Sequence, residues 1–358
     1  MEHRVDAWLI LAVIGILGAS LATLRTVAPV VGSGLLLRQL LWGAVGLTLM
    51  WVLSGVRLDV YERLSPAAYA AGLASLLAVL LFGDVRAGTR GWFAFGPFTI
   101  QPSELARLAT LLMAAAWIAR RGGRRLRVNE ALGVVAIVAV SVVLVLLEPD
   151  LGVALTYAPI LIGGLWLGGL RARAWIALVV MAVVLAGFAW TTVLRPYQKE
   201  RVLTLLDPER DPYGAGYQVR QSKIAVGSGS LFGQGLGRGT QSQLRFLPAQ
   251  HTDFVFAVWA EATGFVGSTG LLLAYGLLLW RLGVAAATVD SRYGLIVTVL
   301  VLCWIAFQVV VNLGMVLGWL PATGITLPLF SYGGSSLLTT FAALGIVQSV
   351  WRHRLVNQ

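Results

Sequence analysis

The sequence predicts an all-α polytopic membrane protein, a single integral domain over residues 1–358, on three observations. Apolar residues make up 58% of the chain and charged residues 12%, whereas soluble domains run at about 45–50% and about 25%. Mean hydropathy is +0.81. The apolar residues also gather into about ten runs, each close to the roughly 20 residues a helix needs to cross the hydrocarbon core. Too little charge remains to coat a water-exposed surface of this size. A soluble two-domain enzyme and a disordered chain are both excluded.

The first run, 7–24, has no small-residue cleavage site behind it and is expected to stay as a span, not to leave as a signal peptide. Runs at 36–54 and 66–82 follow. The fourth, 103–119, opens on Glu104, and Glu148 and Asp150 separate the fifth, 131–147, from the sixth, 152–169. A seventh occupies 173–194. A long polar stretch, 195–252, precedes the last three runs at 254–280, 294–320 and 333–351. SYGGSS at 331–336 predicts a tight non-helical start to the final span, and Gly264 and Ser268 have the small-xxx-small spacing that lets helices approach closely.

Arginine placement gives an orientation. Arg4, Arg57, Arg63, the cluster Arg120 to Arg127, Arg171, Arg173, Arg281, Arg292, Arg352 and Arg354 all fall in alternate gaps, against Arg25, Arg38, Arg86 and Arg90 in the others. The positive-inside bias puts both termini in the cytoplasm and 195–252 outside as one long loop with interfacial helices. The net charge of +11 is therefore spread through short inter-span gaps. That is not the single basic domain of a nucleic-acid binder, and its expected contacts are anionic membrane lipids. One cysteine, Cys303, excludes an internal disulfide framework, and it reads as a packing residue. Three scattered histidines, His3, His251 and His353, do not suggest a metal cluster.

Under this topology Glu104, Glu148, Asp150 and Asp253 gather at the outer ends of spans, and Glu261 lies about 12 Å deeper than Asp253. Ionisable groups at membrane depth usually line a cavity or pair internally. Glu104 and Arg107 share a helix face, as a structural ion pair or as an acid and a phosphate-binding cation in one cleft. The glycine-rich part of the loop matches neither a P-loop nor a dinucleotide fingerprint. Its glycines suit a re-entrant backbone, and Arg220, Lys223, Arg238 and Arg245 supply cations for phosphate. A 58-residue loop is too short for a doubly wound nucleotide-binding domain. Transfer chemistry is thus expected in a cleft among helices, from a lipid-carried donor.

IQPSELARLA at 100–109, EPDLGVAL at 148–155, the block from Gln221 through HTDF at 251–254 to Gly267, and NLGMVLGWLPATGITLPLFSYGGSSLL at 312–338 resemble the SEDS family (shape, elongation, division and sporulation), most closely its rod-shape branch. The resemblance implies a ten-helix peptidoglycan glycosyltransferase of the bacterial cytoplasmic (inner) membrane. Its substrate would be lipid II, the undecaprenyl-diphosphate-linked disaccharide-pentapeptide, and its partner a class B penicillin-binding protein, a transpeptidase. It puts the essential aspartate of HTDF on Asp253 and the acid of the PSE motif on Glu104. Departures are Arg107 for the usual lysine, Ala249 and Ala262 for usual glutamates, and Gly91 for the usual arginine before Trp92.

On the residues themselves, Asp253 is the expected general base for the acceptor hydroxyl, with burial and the following helix dipole acting on it in opposite directions. Arg107, Arg220 and Lys223 are the expected diphosphate ligands. A divalent cation, Mg or Mn, is the candidate helper, without conventional metal-ligand spacing. His251 orients Asp253, touches phosphate, or sits on the loop surface. Trp92 anchors at the interface or stacks on a sugar, and Ser335 is a further candidate for substrate contact. Two other functions stay open: a transporter that flips lipid II, and a non-catalytic scaffold for the transpeptidase.

Overall fold

The computed structural model describes residues 5–32, 34–86, 89–96, 98–194, 196–207, 210–211 and 214–353. Arg4 and Arg354, used above for orientation, lie outside them, as does His3. Each of the ten apolar runs is helical. They form α1 (Ala7–Val31), α2 (Gly34–Ser54), α3 (Leu58–Phe82), α4 (Pro102–Ala119), α5 (Val128–Leu147), the broken pair α6 (Leu151–Leu155) and α7 (Ala158–Leu167), α8 (Ala172–Phe188), α12 (Val255–Thr288), α13 (Arg292–Val316) and α14 (Gly334–His353). Among the described residues eight helices are long and apolar enough to cross a membrane. The two expected spans outside that set are α4, which carries Glu104 and Arg107, and α6–α7, which breaks at Thr156 and Tyr157.

The long polar stretch holds α9 (Pro196–Leu206), α10 (Ala215–Ser228) and the single turn α11 (Thr240–Gln243). One element is new relative to the sequence expectation. Three short strands, β1 (Asp84–Arg86), β2 (Thr89–Phe95) and β3 (Phe98–Ile100), pair antiparallel with β2 in the middle, Trp92 opposite Asp84 and Phe93 opposite Ile100. The aromatic and β-branched residues between Gly88 and the Gly96-Pro97 pair carry a hairpin signal that hydropathy windows pass over.

The core centres on α14, most of whose residues are buried. It packs along α2, where Gly46 lies under Phe341 and Gly345 under Met50, so that small residues bring the two axes together. Hydroxyls join other helices: Thr110 to Ser141 at 2.8 Å, Ser65 to Tyr293 at 3.1 Å, and Tyr69 donating to the carbonyl of Ile137 at 2.7 Å.

Gly264 breaks α12. Its φ of 66° and ψ of −159° belong to a region open essentially to glycine alone. The peptide groups freed there are taken up by the 229–243 segment. Gln234 N donates to Glu261 O at 2.9 Å and Gly235 N to Ala262 O at 3.0 Å, while Phe265 N and Val266 N donate to Ser230 O and Leu231 O at 2.9 and 3.1 Å. Glu261 accepts from Gln241 N at 2.8 Å and Ser242 N at 3.1 Å, tying α11 down. The glycines of the loop thus serve a close backbone approach to α12. Gly264 itself has a different role from the helix-packing one its spacing suggested.

Candidate active site

The start of α4 is the first wall. Gln101 precedes Pro102, and its backbone N–H donates to Ser335 Oγ at 2.8 Å, which fastens the β3–α4 junction to the start of α14. Gln101 Nε2 reaches Asp150 Oδ2 at 3.1 Å, and Asp150 Oδ1 caps α6 through Val153 N at 2.9 Å. Glu104, in the first turn of α4, pairs with Arg107. Arg107 is wholly buried: it donates to Thr156 Oγ1 at 2.7 Å and lies 4.4 Å over the Trp304 ring.

The opposite wall is made of two loops that hold each other. Tyr332 N donates to His251 O at 2.9 Å, and Ser331 Oγ to Thr252 O at 2.6 Å. Asn312 of α13 donates to both Asp253 O and Ile325 O, at 2.9 and 2.8 Å. These bonds fix Asp253 just ahead of α12. Gly324, at φ +78°, faces it, and a Cβ there would stand 3.6 Å from Asp253 Oδ2.

Between the walls lies a cavity of about 520 Å³. Trp92, Glu104, Asp150, His251, Asp253 and Ser335 all border it, so five of the eight sequence candidates converge there. It opens at the end of the bundle where α3, α5 and α13 finish and α4, α12 and α14 begin, opposite the arginine-rich turns. Burial pushes the Asp253 carboxyl above its ordinary range; Thr252 and Arg201 pull against that, and Asp150 adds to it. Burial likewise raises Asp150 and lowers His251, which favours the uncharged imidazole. Glu148, buried below Gly91 with neither carboxyl oxygen partnered among the described residues, is pushed up to about 8, by burial first and then by Asp150.

The three expected diphosphate cations are not on this wall. Arg107 sits behind Glu104, Arg220 is exposed on α10, and Lys223 borders a separate pocket of about 40 Å³ with Arg201 and Thr204. The cation whose charge reaches Asp253 is Arg201, which sequence reasoning missed, together with the wall residues Gln101 and Gly324. Ser335 borders the cavity, but its hydroxyl is engaged by Gln101 N. Among the described residues no group of three or more histidine, cysteine or acidic side chains is arranged to hold a metal ion.

The family of FtsW, RodA and SpoVE, described as cell cycle proteins, matches residues 3–355. The chain belongs to this family, the SEDS proteins. Among SEDS relatives, the peptidoglycan glycosyltransferase MrdB of Escherichia coli is 40% identical over 324 residues, covering 90% of this chain and 86% of that protein. A chain from a peptidoglycan synthase complex that coordinates polymerization and crosslinking is 37% identical, with 98% and 99% of the two chains covered and a TM-score of 0.83. The rod shape determining protein RodA of Thermus thermophilus is 33% identical, with 98% of each chain covered and a TM-score of 0.73. The SEDS fold thus extends over nearly the whole chain.

Proposed function

We propose that the chain is a peptidoglycan glycosyltransferase that polymerises lipid II into glycan strands at the outer face of the bacterial cytoplasmic membrane, for elongation and rod shape. The observation that carries this reading is the half-buried Asp253, with its raised carboxyl, in a cavity at the end of the bundle away from the arginine-rich turns. The positive-inside bias makes that end extracytoplasmic, with ten spans and both termini inside. A lipid-linked substrate reaches such a cavity from the bilayer. The flippase and scaffold readings have no specific observation in their favour: the acids stand at one end of the bundle, and the kinship is to glycosyltransferases.

In the proposed reaction Asp253 takes the proton from the 4-hydroxyl of the acceptor GlcNAc. The acceptor oxygen bonds to the anomeric carbon of the donor as the bond from that carbon to the diphosphate oxygen breaks. Diphosphate then leaves on its lipid. Glu104, held by Arg107, sets the field of the facing wall, and neutral His251 orients the acceptor beside Asp253. Trp92 offers a face to a sugar ring, and Ser335 positions the hairpin that carries it. Arg201 and Lys223 are the cations nearest the leaving diphosphate in this reading, with Arg220 further out on α10. A divalent cation, Mg or Mn, would assist by neutralising the substrate diphosphate. The partner is a class B penicillin-binding protein, consistent with the synthase complex above. Purified protein with lipid II in detergent tests the reading: polymer bands that vanish on adding a chelator and in Asp253→Asn are expected, and lipid movement in vesicles without polymer would overturn it.

A further inference from the structure

A second groove adjoins the cavity, and His251 stands in the walls of both. It runs between the end of α1 and the 245–251 segment and encloses about 280 Å³. Val30, Val31, Leu247 and Pro248 give it an apolar side, and Arg245 and Gln250 a polar one. The groove is held in shape from both sides. Arg245 donates to Val30 O, Gln243 Nε2 to Thr26 O at 2.9 Å, and Tyr332 N to His251 O at 2.9 Å.

Two polar atoms in this frame have no partner among the described residues: Gln250 Oε1, on a side chain only 3% exposed, and His251 Nδ1. A buried acceptor without a donor is destabilising unless a ligand supplies one. The terminal torsion of a glutamine is soft, so a small turn of the amide carries Oε1 to the groove. The groove therefore combines an apolar face, an amide oxygen and an imidazole nitrogen without partners among the described residues, and an arginine at its rim. That suits an N-acetylated amino sugar. The CH face of the ring lies on valine and proline, its N–H and hydroxyls reach the amide and imidazole, and an acidic substituent reaches Arg245. We infer that the groove is a saccharide subsite, holding the sugar next along the glycan from the one that reacts at Asp253. The inference rests on the glycosyltransferase reading above.

Two measurements on the full-length, detergent-purified chain test it: affinity for a lipid-free GlcNAc–MurNAc tetrasaccharide, and strand length made from lipid II. The proteins compared are wild type, Gln250→Ala, which removes the amide, and Val31→Trp, which fills the groove. The expected result is tetrasaccharide binding by wild type, weakened about fivefold or more in each variant, the scale of one net hydrogen bond. Shorter strands per lipid II consumed should accompany it in both variants. Equal binding by all three proteins, no binding by wild type, or wild-type strand lengths in both variants would overturn the subsite. Wild type that binds the tetrasaccharide with the expected variant losses but consumes no lipid II would leave the subsite standing and remove the glycosyltransferase reading.

Discussion

Asp253 is costly to keep where it is. Burial raises its carboxyl, so the folded protein holds a proton there at pH values where the unfolded chain has lost it. Stability therefore falls as pH rises from the ordinary value of 3.8 upward. Asp253→Asn should melt no lower than wild type in detergent at neutral pH, while polymerisation falls by about 100-fold or more. For the same reason the acid limb of the rate profile should lie above an ordinary carboxylate's, since the base works only when deprotonated; a limb near 3.8 would count against the assignment. Glu148 behaves alike. With its carboxyl raised from the ordinary 4.5 to about 8, wild type should lose melting temperature as pH rises through that window, and Glu148→Gln should flatten the loss. Asp253 and Glu104 could be picked out from sequence because charged residues stand out in an apolar chain. The unavailability of Arg107 could not, because its bond to Thr156 and its stacking on Trp304 depend on segments far along the chain.

At the scale of elements, the break in α12 and the 229–243 segment support each other. Glycine richness announced an irregular backbone, yet nothing local named Gly264 as its partner, since a glycine inside an apolar run reads equally as a packing residue. Its ψ of −159° at positive φ decides the matter. Gly264→Ala should cost about 1–3 kcal/mol in strain, and more because a Cβ there would overlap the backbone of Gly233. The measure is a lowered melting temperature in detergent. Glu261→Ala should leave the amides of Gln241 and Ser242 without their acceptor, a loss of about 1–3 kcal/mol. Faster proteolysis within 229–252 is the expected sign, with Glu261→Gln intermediate.

For the whole molecule the arginine distribution argues sidedness, and labelling reads it. In a Cys303→Ser background, Arg90→Cys on the hairpin should react with a membrane-impermeant maleimide in intact cells, and Arg124→Cys in the α4–α5 turn only after lysis. Both positions are exposed. The reverse pattern would put the cavity in the cytoplasm, where a lipid-linked donor that has already been flipped is out of reach.

The sequence by itself determined the class of the protein, the positions of its helices and the motifs of its family. Hydrophobic runs of bilayer length and sparse charges are local properties, readable one segment at a time. Only the tertiary structure decided which polar groups share a cavity. It paired β2 with β1 and β3 so that Trp92 borders the cavity, set Asp150 across from Asp253, engaged Arg107 with Thr156 and Trp304, and brought Arg201 near in place of Arg220. Those outcomes depend on contacts between segments far apart in the chain, and the burial and fields that tune a carboxyl exist only once the helices have packed.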